Sequence, residues 1–399
     1  MDLVPKPDQV VAAAGNVTHR VLYGGLADLR PMPRTLIDEG PLRVLYRYRP
    51  SETTGETDEA RDPVLLVSPL AAPALCYDLR RDCSLVEHLV EGGRPTYLVE
   101  YGEVPFRDRD LGIDQWVDDV VPTAIRQVSA HAGDRPVHVV GWSLGGIFAL
   151  LTAADDHALP VASVAALGTP LDLSQVPVVA PRRPLLTLTP ASTPGLGAIT
   201  QVYRAVGGTP PRVVSWASQL SVFQRLVTKP LALGANLDDA DFLAQVEAVD
   251  RFTDNMAAYR GRTFGQVYHR FLKGDALLEG EVEVRDRTVR LADVTAPVLV
   301  LGGSTDPITP IGALQPLVPL LTGSREARLE VVPGGHLGML TGRRARTSTW
   351  PVMDEWFDQW SAQDREDSPG PSGPEDPSSS TIGSNPTRRF GSSASRTLR

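Results

Sequence analysis

The stretch Val137-His-Val-Val-Gly-Trp-Ser-Leu-Gly-Gly-Ile-Phe-Ala-Leu150 decides the fold of this chain. An apolar run leads into the pentapeptide Gly141-Trp142-Ser143-Leu144-Gly145, and a segment with helical character follows at once. A Gly-x-Ser-x-Gly sequence between a strand and a helix is typical of a tight, strained turn that presents the serine as a nucleophile. The glycines are expected because Cβ atoms two residues before and after the serine would collide. A merely structural glycine turn is the alternative, and the flanking strand and helix argue against it.

Short apolar runs alternate with helix-period segments between residues 42 and 172. The predicted strands are Leu42–Tyr48, Val64–Val67, Thr96–Glu100, Val137–Val140 and Val161–Leu167, and the predicted helices are Ser84–Glu91, Ile113–Ala130 and Gly145–Ala154. The middle strands are apolar on both sides of the pleat, as expected where helices cover both faces of a sheet. This alternation predicts a mostly parallel sheet with right-handed crossovers.

The alternation stops near residue 173 and resumes near residue 290. The intervening segment contains proline-rich loops and a helix-like stretch at Asp241–Tyr259, and strands return at Val298–Leu301 and Arg328–Val332, with a helix from Ile311 between them. The predicted domains are an N-terminal segment packing on the core (1–41), the first part of the core (42–172), an inserted cap (173–289), the second part of the core (290–362) and a disordered tail (363–399). The tail is rich in Ser, Pro and Gly, and it has too little apolar surface to offset its ordering entropy.

Two candidate partners for Ser143 follow strands of the second core segment. Asp306 comes shortly after the first of these strands, and His336 lies on a glycine loop after the second. Because the carboxyl ends of parallel strands meet at one edge of a sheet, we expect the three side chains to converge there. His336 would take the proton of Ser143, and Asp306 would hold the imidazole in the required tautomer. Taken singly, Asp306 could be a turn residue and His336 a loop histidine.

An acyl-transfer site also needs two backbone N–H donors for the oxyanion that develops on the substrate. Leu144, at the start of the helix after Ser143, is the predicted first donor. The second donor is expected in the loop after the strand Val64–Val67, where Leu70 is our choice and Ala71 stays an alternative.

Other titratable residues fit these roles less well. Asp275 and Asp293 are weaker candidates for the acid because neither directly follows a buried strand. His138 lies inside a predicted strand and is therefore predicted to be a packed core histidine.

Bulk composition argues against several classes of function. A net charge of −9 gives no electrostatic reason to bind nucleic acid. The two cysteines, Cys76 and Cys83, are too few for a disulfide scaffold and lack the neighbouring ligands of a zinc site. The N-terminus lacks the pattern of a signal peptide, so we expect a cytoplasmic protein. No run approaches the roughly twenty apolar residues of a membrane span, so we expect no transmembrane segment. No metal or cofactor is expected, and a homodimer is left open.

From about residue 40 to residue 345, these motifs resemble the polyhydroxyalkanoate synthase family of the α/β-hydrolase superfamily. The resemblance is carried by Asp78-Leu79 with Ser84-Leu85-Val86, by Gly141-Trp-Ser-Leu-Gly-Gly146, by Asp306-Pro-Ile-Thr-Pro310 and by Gly335-His336-Leu337. It implies an α/β-hydrolase fold, with a mostly parallel sheet, helices on both faces and an inserted, largely helical cap. It also implies that Ser143, Asp306 and His336 form a catalytic triad.

The chain departs from that family at three places. The family's nucleophile is a cysteine, whereas this chain has Ser143 at that position. In the loop after the early strand, this chain has Ser68-Pro69 and Ala72 where the family has a Pro-Pro pair and an asparagine. After the histidine, it has Thr341-Gly342-Arg343 where the family has an Asn-Pro-Pro run. A thiolate exchanges acyl groups readily, whereas a serine ester favours transfer to water.

The sequence therefore predicts a serine hydrolase of the esterase, lipase or thioesterase kind, acting on a small-molecule or lipid acyl ester or thioester, with acyl-CoA among the candidates. The apolar cap favours a medium or long acyl chain, although its apolar residues equally suit the cap's own core. The alternatives are an acyltransferase resembling polyhydroxyalkanoate synthase that uses hydroxyacyl-CoA, and a non-catalytic binding module.

Overall fold

The computed structural model of this chain describes residues 7–50, 61–69, 72–101, 112–176, 229–256 and 276–367. The strands, numbered in chain order, are β1 (Arg34–Gly40), β2 (Arg43–Tyr48), β3 (Val64–Val67), β4 (Asp78–Arg80), β5 (Cys83–Ser84), β6 (Thr96–Glu100), β7 (Val137–Trp142), β8 (Val161–Leu167), β9 (Glu281–Val284), β10 (Arg287–Arg290), β11 (Val298–Gly303) and β12 (Ala327–Val332). The predicted strands are all confirmed, with only small shifts at their ends.

Eight strands form one sheet in the order β1-β2-β6-β3-β7-β8-β11-β12. The pairings of β2 with β1 and with β6 are antiparallel, and the remaining pairings are parallel, as predicted. The pairs β4–β5 and β9–β10 form separate two-stranded sheets. The sequence did not predict β1, because this edge strand carries charged side chains and leaves every residue at least partly exposed.

The helices, again in chain order, are α1 (Pro7–Tyr23), α2 (Leu85–Glu91), α3 (Ile113–Gln115), α4 (Val121–His131), α5 (Leu144–Asp155), α6 (Lys229–Ala235), α7 (Ala240–Asp254), α8 (Ala276–Glu279), α9 (Ile311–Leu314), α10 (Leu317–Leu320), α11 (Gly338–Thr341) and α12 (Thr349–Asp367). Single 3₁₀ turns occur at Ala74–Cys76, Leu173–Gln175, Leu291–Asp293 and Ala345–Thr347. Among the described residues, no helix combines the length and apolar character that a bilayer crossing requires.

The single helix predicted from Ile113 to Ala130 is interrupted by a π-helical turn at Trp116–Val120. Pro122 explains the interruption, since it lacks a backbone N–H and its ring crowds the carbonyl one turn earlier. The N–H of Val121 bonds instead to the carbonyl of Trp116, five residues back.

Helices cover both faces of the sheet, and alternate strand residues enter two apolar cores. One core joins Leu65, Val139 and Val164 to α4 and α5. The other joins Leu66, Val140 and Ala165 to α2 and α12. Burial on both faces is the reason why these strands are continuous apolar runs in the sequence.

Most of the predicted cap at 173–289 lies outside the described residues. Within the described part, α7 packs on the second core through Ala248 and Phe252, and Gln245 donates a hydrogen bond to the Thr341 carbonyl. At the C-terminal end, α12 continues to Asp367, past the predicted start of the tail at residue 363, and residues 368–399 are not described. The domain boundaries therefore stay predictions.

The N-terminal segment contacts the rest of the chain unevenly. Helix α1 buries none of its side chains, whereas Met32 is buried and its N–H bonds to the Asp78 carboxylate. The Glu247 carboxylate of α7 accepts a hydrogen bond from the backbone N–H of Leu26, so the N-terminal segment also contacts α7.

Candidate active site

Ser143 occupies the turn between β7 and α5 in a strained backbone conformation. Its φ is 55° and its ψ is −122°, a region that residues other than glycine rarely adopt. Its N–H donates to the carbonyl of Leu167 on the neighbouring strand β8 at 2.8 Å. Strain held in place by surrounding structure is a feature of functional sites, and here it presents a partly exposed serine at the carboxyl edge of the sheet.

Gly141 and Gly145 allow this turn to close. A Cβ on Gly145 would lie less than 3.0 Å from the carbonyl oxygen of Val67 at the end of β3, and a Cβ on Gly141 would collide with backbone atoms of Gly145 and Gly146. The crowding expected from the sequence is therefore present, and at Gly145 it arises against a neighbouring strand as well as within the turn.

Asp306 and His336 form a hydrogen-bonded pair after β11 and β12. The Nδ1 atom of His336 lies 2.7 Å from Oδ2 of Asp306, and the side chains are 8% and 0% exposed, respectively. The second oxygen, Oδ1, accepts backbone N–H bonds from Ile308 at 2.8 Å and from Thr309 at 2.9 Å. The carboxylate is therefore fixed by its own loop, with one oxygen directed at the imidazole.

Trp142 and Gly168 bring this pair next to the turn of Ser143. The indole N–H of Trp142 donates to the backbone carbonyl of His336 at 3.0 Å, and the two rings lie 4.8 Å apart, centroid to centroid. A Cβ on Gly168, just after β8, would lie 3.1 Å from Nδ1 and Cε1 of His336. Because β7, β8, β11 and β12 are consecutive in the sheet, the turn of Ser143 and the loops of Asp306 and His336 lie at the same edge of the sheet.

Of the two predicted oxyanion donors, one lies in the described part of the chain. Leu144 is the first residue of α5, so its backbone N–H has no acceptor within the helix and lies at the positive end of the helix dipole. Leu70 and the alternative Ala71 lie outside the described residues.

Comparison with known proteins agrees with this architecture. The sequence profile of the alpha/beta hydrolase fold family matches residues 91–343. The chain belongs to that family. The α/β-hydrolase fold expected from these sequence motifs is thereby confirmed.

Among curated relatives of this α/β hydrolase are two proteins named poly(3-hydroxyalkanoate) polymerase subunit PhaC. The one from Allochromatium vinosum is 24% identical over 346 residues, covering 86% of this chain and 94% of its own length. The one from Thiocystis violacea is 23% identical over 355 residues, covering 86% and 93%. These relatives confirm the resemblance to polyhydroxyalkanoate synthases.

Among solved structures, the esterase RhEst1 from Rhodococcus sp. ECU1013 is 15% identical with a TM-score of 0.47, covering 83% of this chain and 100% of that one.

Neither cysteine of this α/β hydrolase is placed to replace Ser143 as a nucleophile. Cys76 and Cys83 are both free and fully buried. Burial raises the pKa of each thiol, which keeps both as neutral thiols rather than reactive thiolates.

Of the histidine and the two acids set aside above, the two that lie in the described part of the chain, His138 and Asp293, are away from this site. His138 is fully buried, with Nδ1 2.8 Å from Ser163 Oγ and Nε2 2.8 Å from Ser361 Oγ, and burial lowers its pKa to about 3. It is a neutral core histidine, as predicted. Asp293 is exposed and precedes β11, at the opposite edge of the sheet, and Asp275 is not among the described residues.

Sequence reasoning missed two residues that organise the site. Tyr77 places its hydroxyl between β3 and β7, donating to the Val67 carbonyl at 2.8 Å and accepting the Trp142 backbone N–H at 3.1 Å. No local pattern marks such a tyrosine. Trp142 was visible in the Gly-x-Ser-x-Gly sequence, but its acceptor is a backbone carbonyl 194 residues later, which no spacing rule identifies.

Proposed function

We propose that this α/β hydrolase is a serine hydrolase that cleaves an acyl ester or thioester through an acyl-Ser143 intermediate. The observation that carries the proposal is the Asp306–His336 hydrogen bond at the sheet edge where the strained turn of Ser143 lies. Because the Asp306 carboxylate can only accept, Nδ1 of His336 carries a proton and Nε2 is left as the base.

The reaction proceeds in two halves. Ser143 Oγ attacks the acyl carbon while His336 Nε2 takes the hydroxyl proton, and the resulting oxyanion is stabilised by the N–H groups of Leu144 and, as the second proposed donor, Leu70. The bond from the acyl carbon to the leaving oxygen or sulfur then breaks, and the leaving group receives the proton from His336. Water next attacks the acyl-serine with His336 as base, which releases the acid and restores the Ser143 hydroxyl.

An acyltransferase reaction is the second candidate, favoured by the PhaC relatives that align with most of this chain. In that reaction the hydroxyl group of a second acyl molecule, such as a hydroxyacyl-CoA, would replace water in attacking the acyl-serine. Hydrolysis is preferred because Ser143 forms an oxygen ester, which exchanges less readily with thiols and thioesters than the thioester of a cysteine nucleophile. We add three predictions to this proposal: an acyl-CoA substrate, a cytoplasmic location and a homodimer.

Labelling with a fluorophosphonate probe tests the nucleophile. The wild-type protein and a Ser348→Ala control should be labelled, and Ser143→Ala should not. Equal labelling of wild type and Ser143→Ala, or no labelling of either, would overturn the proposal.

Product analysis with a 3-hydroxyacyl-CoA separates the two candidate reactions. Free CoA and free hydroxy acid in equal amounts support hydrolysis, whereas CoA with oligomeric or acylated product supports transfer. Release of CoA should disappear in Ser143→Ala under either reaction.

A further inference from the structure

We propose that Trp142 is a positioning residue that holds the loop of His336 against the turn carrying Ser143. The proposal deepens the serine mechanism proposed above and rests on it. Trp142 acts through the backbone of the base, and no contact with substrate is assigned to it.

Backbone hydrogen bonds hold the residues on either side of His336, and the Gly335 carbonyl accepts the N–H of Met339 at 2.8 Å. Gly334 adopts a φ of 134°, which favours glycine, and its carbonyl accepts the N–H of Thr305 at 3.1 Å. The His336 side chain is held by Asp306, and the His336 carbonyl is held by the Trp142 indole N–H at 3.0 Å. His336 itself therefore has one hydrogen bond to its ring and one to its backbone carbonyl, and the second of these comes from Trp142.

The indole that makes the second bond is itself fixed. Trp142 is 4% exposed, its backbone N–H is bonded to the Tyr77 hydroxyl, and its ring contacts Phe252 of the cap helix α7 at 6.1 Å between centroids. Because the indole is fixed in this way, its hydrogen bond restricts the position of the His336 loop relative to the sheet.

The effect of this hydrogen bond on catalysis depends on the position of Trp142 in the chain. Trp142 is the residue immediately before Ser143, so one side chain joins the segment of the nucleophile to the segment of the base. Proton transfer requires these groups within hydrogen-bond reach, and a displacement of about 1 Å can cost on the order of 100-fold in rate. Loss of the indole N–H should therefore lower kcat by more than a general loss of packing would.

Trp350 provides a matched control for that comparison. It too is 4% exposed, its indole N–H donates to the Leu340 carbonyl at 2.9 Å, and its ring lies 4.8 Å from an imidazole, that of His88. His88 is paired with Asp354, and neither residue belongs to the turn of Ser143 or to the loop of His336. A Trp→Phe change therefore removes the same kind of bond from the same kind of surroundings at both positions.

The experiment compares wild type, Trp142→Phe and Trp350→Phe for kcat and KM on a nitrophenyl ester and for the rate of fluorophosphonate labelling. We expect Trp142→Phe to lower kcat and the labelling rate by about 10- to 100-fold, with KM within about 3-fold of wild type. Trp350→Phe should show a comparable loss of thermal stability with kcat within about 3-fold of wild type. The downfield proton resonance of the His336–Asp306 bond should broaden or shift in Trp142→Phe only.

A kcat for Trp142→Phe no lower than that of Trp350→Phe, with the downfield resonance unchanged, would overturn the inference while leaving the proposed function intact. If wild type is not labelled at Ser143, the proposed function fails and this inference fails with it. Should Trp142→Phe not fold, incorporation of benzothienylalanine at position 142 keeps the fused rings and replaces the N–H by sulfur. The same fall in kcat is expected for that variant, and full activity would overturn the inference.

Discussion

Asp306→Asn is the substitution whose effect the structure defines most closely. Oδ1 of Asp306 accepts two backbone N–H bonds, from Ile308 and Thr309, and Oδ2 faces Nδ1 of His336. In the variant, the amide oxygen should take the place of Oδ1, because only an oxygen can accept those two bonds. The amide NH₂ then faces Nδ1, which must become an acceptor, so the ring proton moves to Nε2. Nε2 is the atom that has to take the proton of Ser143, and the base is lost.

A wrong tautomer of this kind costs about 10⁴-fold in kcat, which corresponds to about 5.4 kcal/mol at 1.36 kcal/mol for each factor of ten. The free energy of unfolding should fall much less, by about 1–3 kcal/mol, since one charge-assisted hydrogen bond is altered and both backbone bonds remain.

Steady-state hydrolysis of a nitrophenyl ester gives kcat, and urea unfolding gives the free energy of unfolding for the same preparations. Asp293→Asn is the control, because Asp293 is exposed at the opposite edge of the sheet and its variant should retain wild-type kcat. A folded Asp306→Asn protein with kcat within tenfold of wild type would refute the role given to this carboxylate.

Three further predictions concern the scaffold of the site. Gly145→Ala forces a Cβ into the Val67 carbonyl, so it should lower the free energy of unfolding by about 1–3 kcal/mol or prevent folding. Gly15→Ala has open space around it and lies inside helix α1, so it should not lower the melting temperature. Tyr77→Phe leaves buried backbone groups of two strands without their partner and should cost about 1–3 kcal/mol in thermal or urea unfolding; an unchanged stability would contradict the bridging role. Burial lowers the pKa of His138 to about 3. Below about pH 6.5 the unfolded chain therefore binds a proton that the native state does not, and the free energy of unfolding falls as the pH drops from 6.5 towards 3. His138→Gln should remove about 2 kcal/mol of the stability difference between pH 7 and pH 5, measured by urea unfolding, and an identical slope in wild type and variant would show that His138 is not the group responsible.

The parts of the fold that sequence reasoning predicted are those with one dominant physical signal. Strands β3, β6 and β8 were located with their observed bounds because burial on both faces requires unbroken apolar runs. The turn of Ser143 was predicted because Gly141 and Gly145, the strand before them and the helix after them all indicate the same local geometry.

Elements whose stability comes from tertiary partners were missed or misjudged. The edge strand β1 combines three charged residues with two apolar ones, and β9 of the hairpin β9–β10 alternates Glu with Val, so neither is a continuous apolar run. Helix α12 does have a pattern in the sequence that indicates a helix, because its buried residues recur at helical spacing, at Trp350, Met353, Trp356 and Phe357. At the site, the acid and the histidine followed from strand order, whereas the contacts of Trp142 and Tyr77 depend on the positions of distant backbone carbonyls.

Acylation of the Ser143 hydroxyl is the central step of the proposed reaction, and rapid-quench mass spectrometry tests it most directly. Wild-type protein mixed with excess nitrophenyl ester and quenched within the first turnover should carry one acyl group, on the peptide that contains Ser143, and Ser143→Ala should carry none. An acyl group on Cys76 or Cys83, or undiminished turnover by Ser143→Ala, would contradict it.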